Sequence, residues 1–401
     1  MRLLIYSHFF APSVGGVETV VLSLARGLAG LRGSKGETEF EITLVAQTPA
    51  EKFDDQAVPF RVVRQPNPIH LWDLIRTSDV VHVAGPALAP LIFGFLTRKP
   101  VVVEHHGYQA ICPNGLLVHR PDDTVCPGYF LKRDYAECIG CLESESSPFR
   151  SWETLLLMFP RHFLVRQASA NLAVSNHSLK RCSLPRSSVV YHGIEDSLVR
   201  WRPYDGLSPS HDRICFAYVG RLVSEKGIEV FLEASRLLRE EGRSFDVRLI
   251  GDGPERSKLE AIIDRDQLQS CVQLTGSLTG AAFAEALRDV RVVVMPSVWE
   301  ETAGLAAIEQ MMRGRLVIVS DIGGLGEIVG DAGLKCPPGD ATALASAMRN
   351  VLQQPTLIDS FGESARERAL SFFARERMVA EHARVYRRLL ATSAMPGGGC
   401  A

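Results

Sequence analysis

Short apolar runs alternate along the chain with longer stretches in which apolar residues recur every three or four positions. Leu3 to His8 reads as a buried strand, and Val17, Val20, Val21, Leu24 and Leu28 then follow helical spacing over about residues 17–31. Further strands are predicted at residues 41–47, 60–64, 80–84, 101–105 and 172–175, with helical stretches between several of them. A second run begins with a strand at 214–219 and continues through strands at 247–250, 272–274, 292–295 and 316–320. Amphipathic helices separate these around 228–239, 255–265, 281–290 and 305–312. Strand–helix alternation predicts an α/β fold of two Rossmann-like, doubly wound parallel sheets. Two such domains facing one another would leave a deep cleft between carboxyl strand ends. The pattern divides the chain into residues 1–196, with an irregular insertion at about 108–147, a second domain at 197–373 and a terminal helix with a short tail at 374–401. Pro and Ser accumulate between Asp196 and Asp212, which reads as the linker.

Bulk properties narrow the function classes. A chain of 401 residues, 46% hydrophobic and 22% charged, is globular and long enough for two cores. Its formal net charge of -2, without a Lys/Arg-dense arm, argues against a nucleic-acid partner. No apolar run reaches the roughly 18–20 residues of a membrane span. The chain opens directly on a strand-like Leu3–Tyr6 without a leader pattern, so a cytoplasmic location is expected.

Candidate chemistry gathers where strands end. Open α/β sheets bind ligands beyond the carboxyl ends of their strands, where Gly admits a ligand and helix N-termini offer unpaired N–H groups. The stretch from Pro296 to Glu309 has this form: a strand ends, a loop carries Gly304, and Leu305 opens a helix between Glu301 and Glu309. Taken alone, the two carboxylates read first as solvated charges. Other strand ends supply Gly15 and Gly16, His106, Arg221 and Lys226, Gly251 and Asp252, and Gly323 and Gly324. Arg offers a planar fork and Lys a mobile point charge, a combination suited to a diphosphate.

Two segments stand apart from this series. Cys112, Cys126, Cys138 and Cys141 lie in the irregular insertion, the last two as a Cys-x-x-Cys knuckle. They read either as a structural zinc or iron–sulfur site, with His119 as a spare ligand, or as four ordinary buried thiols. Residues 151–166 combine Trp152, Leu155, Leu156, Leu157, Met158, Phe159, Phe163 and Leu164 with Arg161, His162 and Arg166, preceded by Arg150. That composition suits peripheral contact with the inner face of an anionic bilayer, or a helix packed on its own sheet.

Taken together, these motifs resemble the retaining, GT-B-fold glycosyltransferases of family 4 over almost the whole chain. The family's Glu-x7-Glu element matches Glu301 to Glu309 in register, and Gly323-Gly324-Leu325-Gly326-Glu327-Ile328-Val329 resembles its Gly-Gly-x-Pro-Glu-Ile-Val segment. The resemblance implies a nucleotide-diphosphate sugar as donor. Glu309 would take the ribose hydroxyls, and Glu301 would lie near the transferred sugar. Arg221 and Lys226 would hold the phosphates, Gly15 and Gly16 would form the amino-domain loop, and His106 would be the active-site histidine. No catalytic metal is expected, because fixed cations replace it. Asp264-Arg265-Asp266 reads as a solvated helix cap instead of the metal-binding Asp-x-Asp of the other major glycosyltransferase fold. The terminal helix at 374–390 would brace the first domain.

The chain departs from the family pattern at Thr302-Ala303, Arg315-Leu316 and His192-Gly193-Ile194-Glu195, which on this reading line or border the sugar pocket. The expected acceptor is a saccharide or lipid-linked glycan, and the expected reaction is hexose transfer in polysaccharide or cell-envelope synthesis. A nucleotide-sugar epimerase of the same architecture and a silent nucleotide-sugar-binding partner are the competing readings.

Overall fold

The computed structural model describes residues 1–13, 15–51, 53–196 and 213–394. The expected linker therefore lies outside the described residues, apart from Asp196. The chain forms two units: one of Met1–Glu195 joined by the chain from Phe373 onward, the other of Asp196–Phe372.

The first unit carries strands β1 (Arg2–Ser7), β2 (Glu41–Ala46), β3 (Arg61–Arg64), β4 (Val80–Ala84) and β5 (Val101–His105), then a small hairpin of β6 (Val118–His119) and β7 (Thr124–Val125), then β8 (Ala170–Ala173) and β9 (Ser187–Val189). Seven of these pair in the order β3-β2-β1-β4-β5-β8-β9, every pair parallel. Its helices are α1 (Gly16–Gly30), α2 (Pro68–Thr77), α3 (Leu88–Leu96), α4 (Tyr129–Lys132), α5 (Tyr135–Glu143), α6 (Pro148–Gln167) and α7 (Asn176–Cys182). Local chemistry sets several helix starts. The Asn67 side chain accepts the His70 N–H at 2.8 Å with Pro68 as first helical residue, and Ser175 and Ser178 form a capping box at α7. Strands β4 and β5 are buried at every position, as expected of a parallel sheet covered on both faces.

The second unit continues with β10 (Cys215–Val219), α8 (Ile228–Glu240), β11 (Asp246–Ile250), α9 (Arg256–Arg265), β12 (Val272–Gly276), α10 (Gly280–Ala286), β13 (Val292–Met295), α11 (Leu305–Met312), β14 (Leu316–Ser320), α12 (Leu325–Val329), β15 (Leu334–Cys336), α13 (Ala341–Gln353) and α14 (Thr356–Phe372). Its sheet runs β12-β11-β10-β13-β14-β15, again all parallel. Each sheet starts at its centre and grows first one way, then the other. The order therefore reverses between β1 and β4 and between β10 and β13, and diverging loops there open a crevice for a ligand.

The last helix, α15 (Arg375–Ala394), belongs to the first unit. Arg387 makes two bonds to the Glu39 carboxylate at 2.7 and 2.8 Å, and the buried Tyr386 hydroxyl meets His82 Nδ1 at 2.9 Å.

Three expectations change. The helix expected over 281–290 stops at Ala286, because the carbonyls of Leu287 and Val290 accept bonds from the Arg315 guanidinium at 2.6 and 2.8 Å. The insertion at 108–147 is more ordered than its composition suggests, holding the β6–β7 hairpin, α4 and α5. Cys138 and Cys141 stand one turn apart on α5 instead of in a knuckle loop. As expected, Asp266 caps the C-terminus of α9 and pairs with neighbouring Arg265 at 2.8 Å.

Candidate active site

In the second unit the crevice at the strand-order reversal is built from the loops after β10 and β13. The first loop, Gly220 to Gly227, is held by Tyr218, whose hydroxyl donates to the Arg221 carbonyl at 2.7 Å. It also receives the Val298 N–H at the Glu225 carbonyl, 3.0 Å away. Gly227 adopts φ +63, and a Cβ there would stand 2.1 Å from the Pro296 oxygen. Only Gly lets the two loops approach this closely.

That approach brings Lys226 Nζ to 2.8 Å from Glu301 Oε1. The Lys226 side chain is 18% exposed and that of Glu301 7%, so the pair is largely withdrawn from water. Ser297, itself buried, donates its hydroxyl to Glu301, and the Trp299 ring lies 5.6 Å from the ammonium. The loop after β14 closes on the same place: the Gly324 N–H donates to the Glu301 carbonyl at 2.6 Å. Gly323 has φ +62, and a Cβ on it would lie 2.5 Å from the Glu301 backbone.

The remaining candidates occupy neighbouring strand ends. Arg221 is exposed in the β10 loop. Gly251 follows β11, donating its N–H to the Gly276 carbonyl at 3.0 Å, and the exposed Asp252 carboxylate accepts the Gly253 N–H at 2.8 Å. Gly304 precedes Leu305, the first residue of α11, and Glu309 lies one turn further along that helix. Burial pushes the Glu309 carboxyl above its usual range, with Arg313 opposing. Arg221, Lys226, Glu301, Gly304, Leu305, Gly323 and Gly324 thus fall on loops at carboxyl strand ends or on the helix they lead into.

In the first unit, Gly15 caps α1 and Gly16 begins it, and His106 follows β5. Both nitrogens of His106 face inward: Nδ1 is 3.0 Å from His192 Nε2, and Nε2 is 3.5 Å from Glu104 Oε2. Glu104 is fully buried and also meets His82 at 3.2 Å and His382 of α15 at 3.6 Å. Burial alone would raise the Glu104 carboxyl, but the surrounding histidines hold it well below its usual range. Burial lowers His382 too, yet the Glu104 charge prevails and raises it, making these two the ion pair of the group. Burial keeps His82 and His106 below their ordinary value, with Glu104 opposing. It brings His192 down to about 3 and His105 to about 4, although the Asn171 side chain 2.9 Å from His105 acts the other way. Glu104 forms two trios, with His82 and His382 and with His106 and His192, whose ligand-type atoms lie within 4.8 Å of one another.

His192, one departure from the family pattern, packs inside the first unit against His106. Another lands elsewhere than expected. Arg315 precedes β14, at the amino end of the strand, where it binds the Leu287 and Val290 carbonyls and Gln310. It is an internal brace on the far side of the sheet from the site loops. Sequence reasoning also passed over Ser297, Glu104, His382 and Tyr386. Only Glu104 carried a signal, as a charge inside the apolar run 101–105.

Comparison with known proteins gives the class. The chain superposes on Anabaena HepE in complex with UDP and glucose with a TM-score of 0.71, covering 98% of this chain and 100% of that one at 17% identity. The fold is therefore that of the GT-B glycosyltransferases. Residues 213–354 match the family of glycosyl transferases group 1, so the second unit carries a domain of that family. The alpha-D-kanosaminyltransferase of Streptomyces kanamyceticus is 32% identical over 38% of this chain and 40% of its own length. The glycogen synthase of Mycobacterium tuberculosis is 30% identical over 51% and 49%. The chain thus spans under half the length of these curated relatives.

Two expectations follow. Gly323→Ala should destabilise the protein by more than the about 1–3 kcal/mol of left-handed strain, because the Cβ also meets the Glu301 backbone. Gly339→Ala, at φ +74 with nothing within 4 Å of the added carbon, should cost the strain alone. Equal losses in urea unfolding would refute the packing argument. Second, His105 and His192 titrate at about 4 and about 3 when folded, against 6.5 ordinarily. The unfolded chain therefore takes up their protons first, and stability falls as pH drops from about 6.5 toward 4 for His105 and toward 3 for His192. Glu104 adds a loss as pH falls through its depressed value, while the His382 contribution is full below about 6.5 and fades as pH rises through its raised value. Thermal unfolding of His192→Asn should show a shallower acid limb; an unchanged limb would remove His192 from the account.

Proposed function

We propose that the protein is a retaining glycosyltransferase moving a hexose-type sugar from a nucleoside diphosphate to a saccharide or lipid-linked acceptor in polysaccharide or cell-envelope glycan synthesis. The observation that carries this reading is the Lys226–Glu301 pair, largely withdrawn from water on the loop that also carries Arg221, at the strand-order reversal of a group 1 domain. As the bond from anomeric carbon to phosphate oxygen breaks, its electron pair passes to the β-phosphate and the sugar becomes oxocarbenium-like. Lys226 and Arg221 stabilise the phosphate charge without a divalent metal, since preorganised cations in a site partly closed to water act strongly on developing charge. Glu301, already oriented by Ser297, receives a sugar hydroxyl, and Glu309 receives the ribose. UDP and glucose in the HepE complex make UDP-glucose the first donor to test.

Lys226→Ala should slow transfer by about 30- to 1000-fold, the about 2–4 kcal/mol of one preorganised electrostatic group, with little change in donor Kd. Glu309→Ala should instead weaken nucleotide binding about tenfold or more, as expected for a hydrogen bond to a charged group. Titration calorimetry with UDP, GDP and ADP sugars, read beside initial rates, separates the two. Full turnover in Lys226→Ala would exclude it from the mechanism.

The same proposal places α6 against an anionic bilayer. One face of the helix is packed through Ser151, Leu155, Met158 and Val165, while Phe149, Trp152 and Phe163 are 80%, 54% and 56% exposed beside Arg150 and Arg166. Among the described residues no helix is long and apolar enough to cross a membrane, so the contact is peripheral. The protein should sediment with phosphatidylglycerol vesicles and less with phosphatidylcholine alone, and Trp152→Glu with Phe163→Glu should release it. Equal sedimentation of the variant would refute the contact.

A further inference from the structure

The insertion after His106 contains a second construction, independent of the donor site. Cys112, Cys126, Cys138 and Cys141 are 6–8% exposed, all four are free thiols, and they line one cavity of about 20 Å³. That is room for a single ion or water. They reach it from three different pieces of chain: the turn after β5, the residue following β7, and one face of α5, on which Cys138 and Cys141 are a turn apart. We propose that Cys112, Cys126, Cys138 and Cys141 bind one structural zinc ion.

Binding would draw the four Sγ atoms together, since among the described residues only the groups around Glu104 already hold three ligand-type atoms within 4.8 Å of one another. The Asn114 amide nitrogen donates to Cys141 Sγ at 3.3 Å, while its oxygen accepts the Cys112 thiol at 3.0 Å, a bond that loss of the Cys112 proton breaks. The Arg120 backbone N–H also donates to Cys141 Sγ, at 3.4 Å. Such N–H groups orient and stabilise bound thiolates. Binding releases four protons and leaves a complex of net charge -2, and cationic side chains stand close by: Arg181 donates to the Cys126 carbonyl, and Arg120 belongs to the same segment. His119 is a lining residue but not a ligand in this arrangement. Its Nδ1 is 2.9 Å from Asp122 and its Nε2 3.3 Å from Glu137. The cavity's size selects a lone ion over an iron–sulfur cluster, and four thiolates around one ion select zinc.

The metal would hold together a segment with little apolar core of its own, a small cluster of Phe130, Cys138, Leu142, Leu155 and Met158. It would also fix the loop that begins at His106. Tyr108 is fully buried, its N–H donates to the Gly115 carbonyl at 2.9 Å, and its carbonyl accepts the Cys112 N–H at 2.8 Å. The backbone leaving His106 is thereby tied directly to the first proposed ligand.

Metal analysis of the full chain, purified without chelator, tests this. One zinc per chain is expected, falling to near zero in Cys112→Ser and Cys138→Ser and unchanged in His119→Ala and in Cys182→Ser and Cys336→Ser, whose thiols are buried elsewhere. If the ligand variants do not fold, cobalt exchanged into the wild-type protein supplies the second readout: the intense visible bands of a tetrahedral cobalt thiolate. Wild-type protein that neither contains zinc nor takes up cobalt overturns the proposal, as does zinc retained in Cys138→Ser. Iron in place of zinc overturns the metal assignment.

Discussion

A lysine and a glutamate, paired at 2.8 Å and largely removed from water, join the two loops where the strand order of the second sheet reverses. Each charge compensates the other in a place largely closed to water, so removing one leaves its partner without that compensation. The pair therefore constrains everything around it. The β10 loop must come against the β13 loop, which it does through Gly227, and the β14 loop must seat its backbone on Glu301, which it does through Gly323 and Gly324. Three loops that are far apart in the chain become one rigid surface.

The first unit solves a comparable problem with a different device. Glu104 sits in the centre of a parallel sheet, where an unpaired carboxylate would be far from any solvation. Its charge is matched by His382, from a helix that joins the unit only after the chain has traversed the whole of the second. The first unit's core is thus incomplete until the last helix is in place. His106 has one ring nitrogen toward Glu104, two positions before it, and the other toward His192, 86 positions on.

How much of this was legible follows from range. The strands at 80–84, 101–105, 292–295 and 316–320 announced themselves as β-branched runs, because a strand buried on both faces has no polar side to hide. Short edge strands such as β9 and β15 carry too few apolar positions to be seen. The helix over 281–290 was overestimated because nothing local shows that Arg315 will claim the carbonyls at its end. The same blindness placed Arg315 at a sugar pocket, when it braces the opposite end of the sheet.

By itself, then, the sequence determined the period of its elements, the parallel character of both sheets and the clustering of Gly, Arg, Lys and Glu at strand ends, all of which depend on residues within a few positions of each other. Tertiary structure alone decided which of those groups touch. The Lys226–Glu301 contact, the ring of histidines around Glu104 and the convergence of four cysteines on one cavity depend on loop geometry and chain crossings over tens to hundreds of residues. No local pattern encodes a contact at that separation, because only the packed sheets bring such residues within reach.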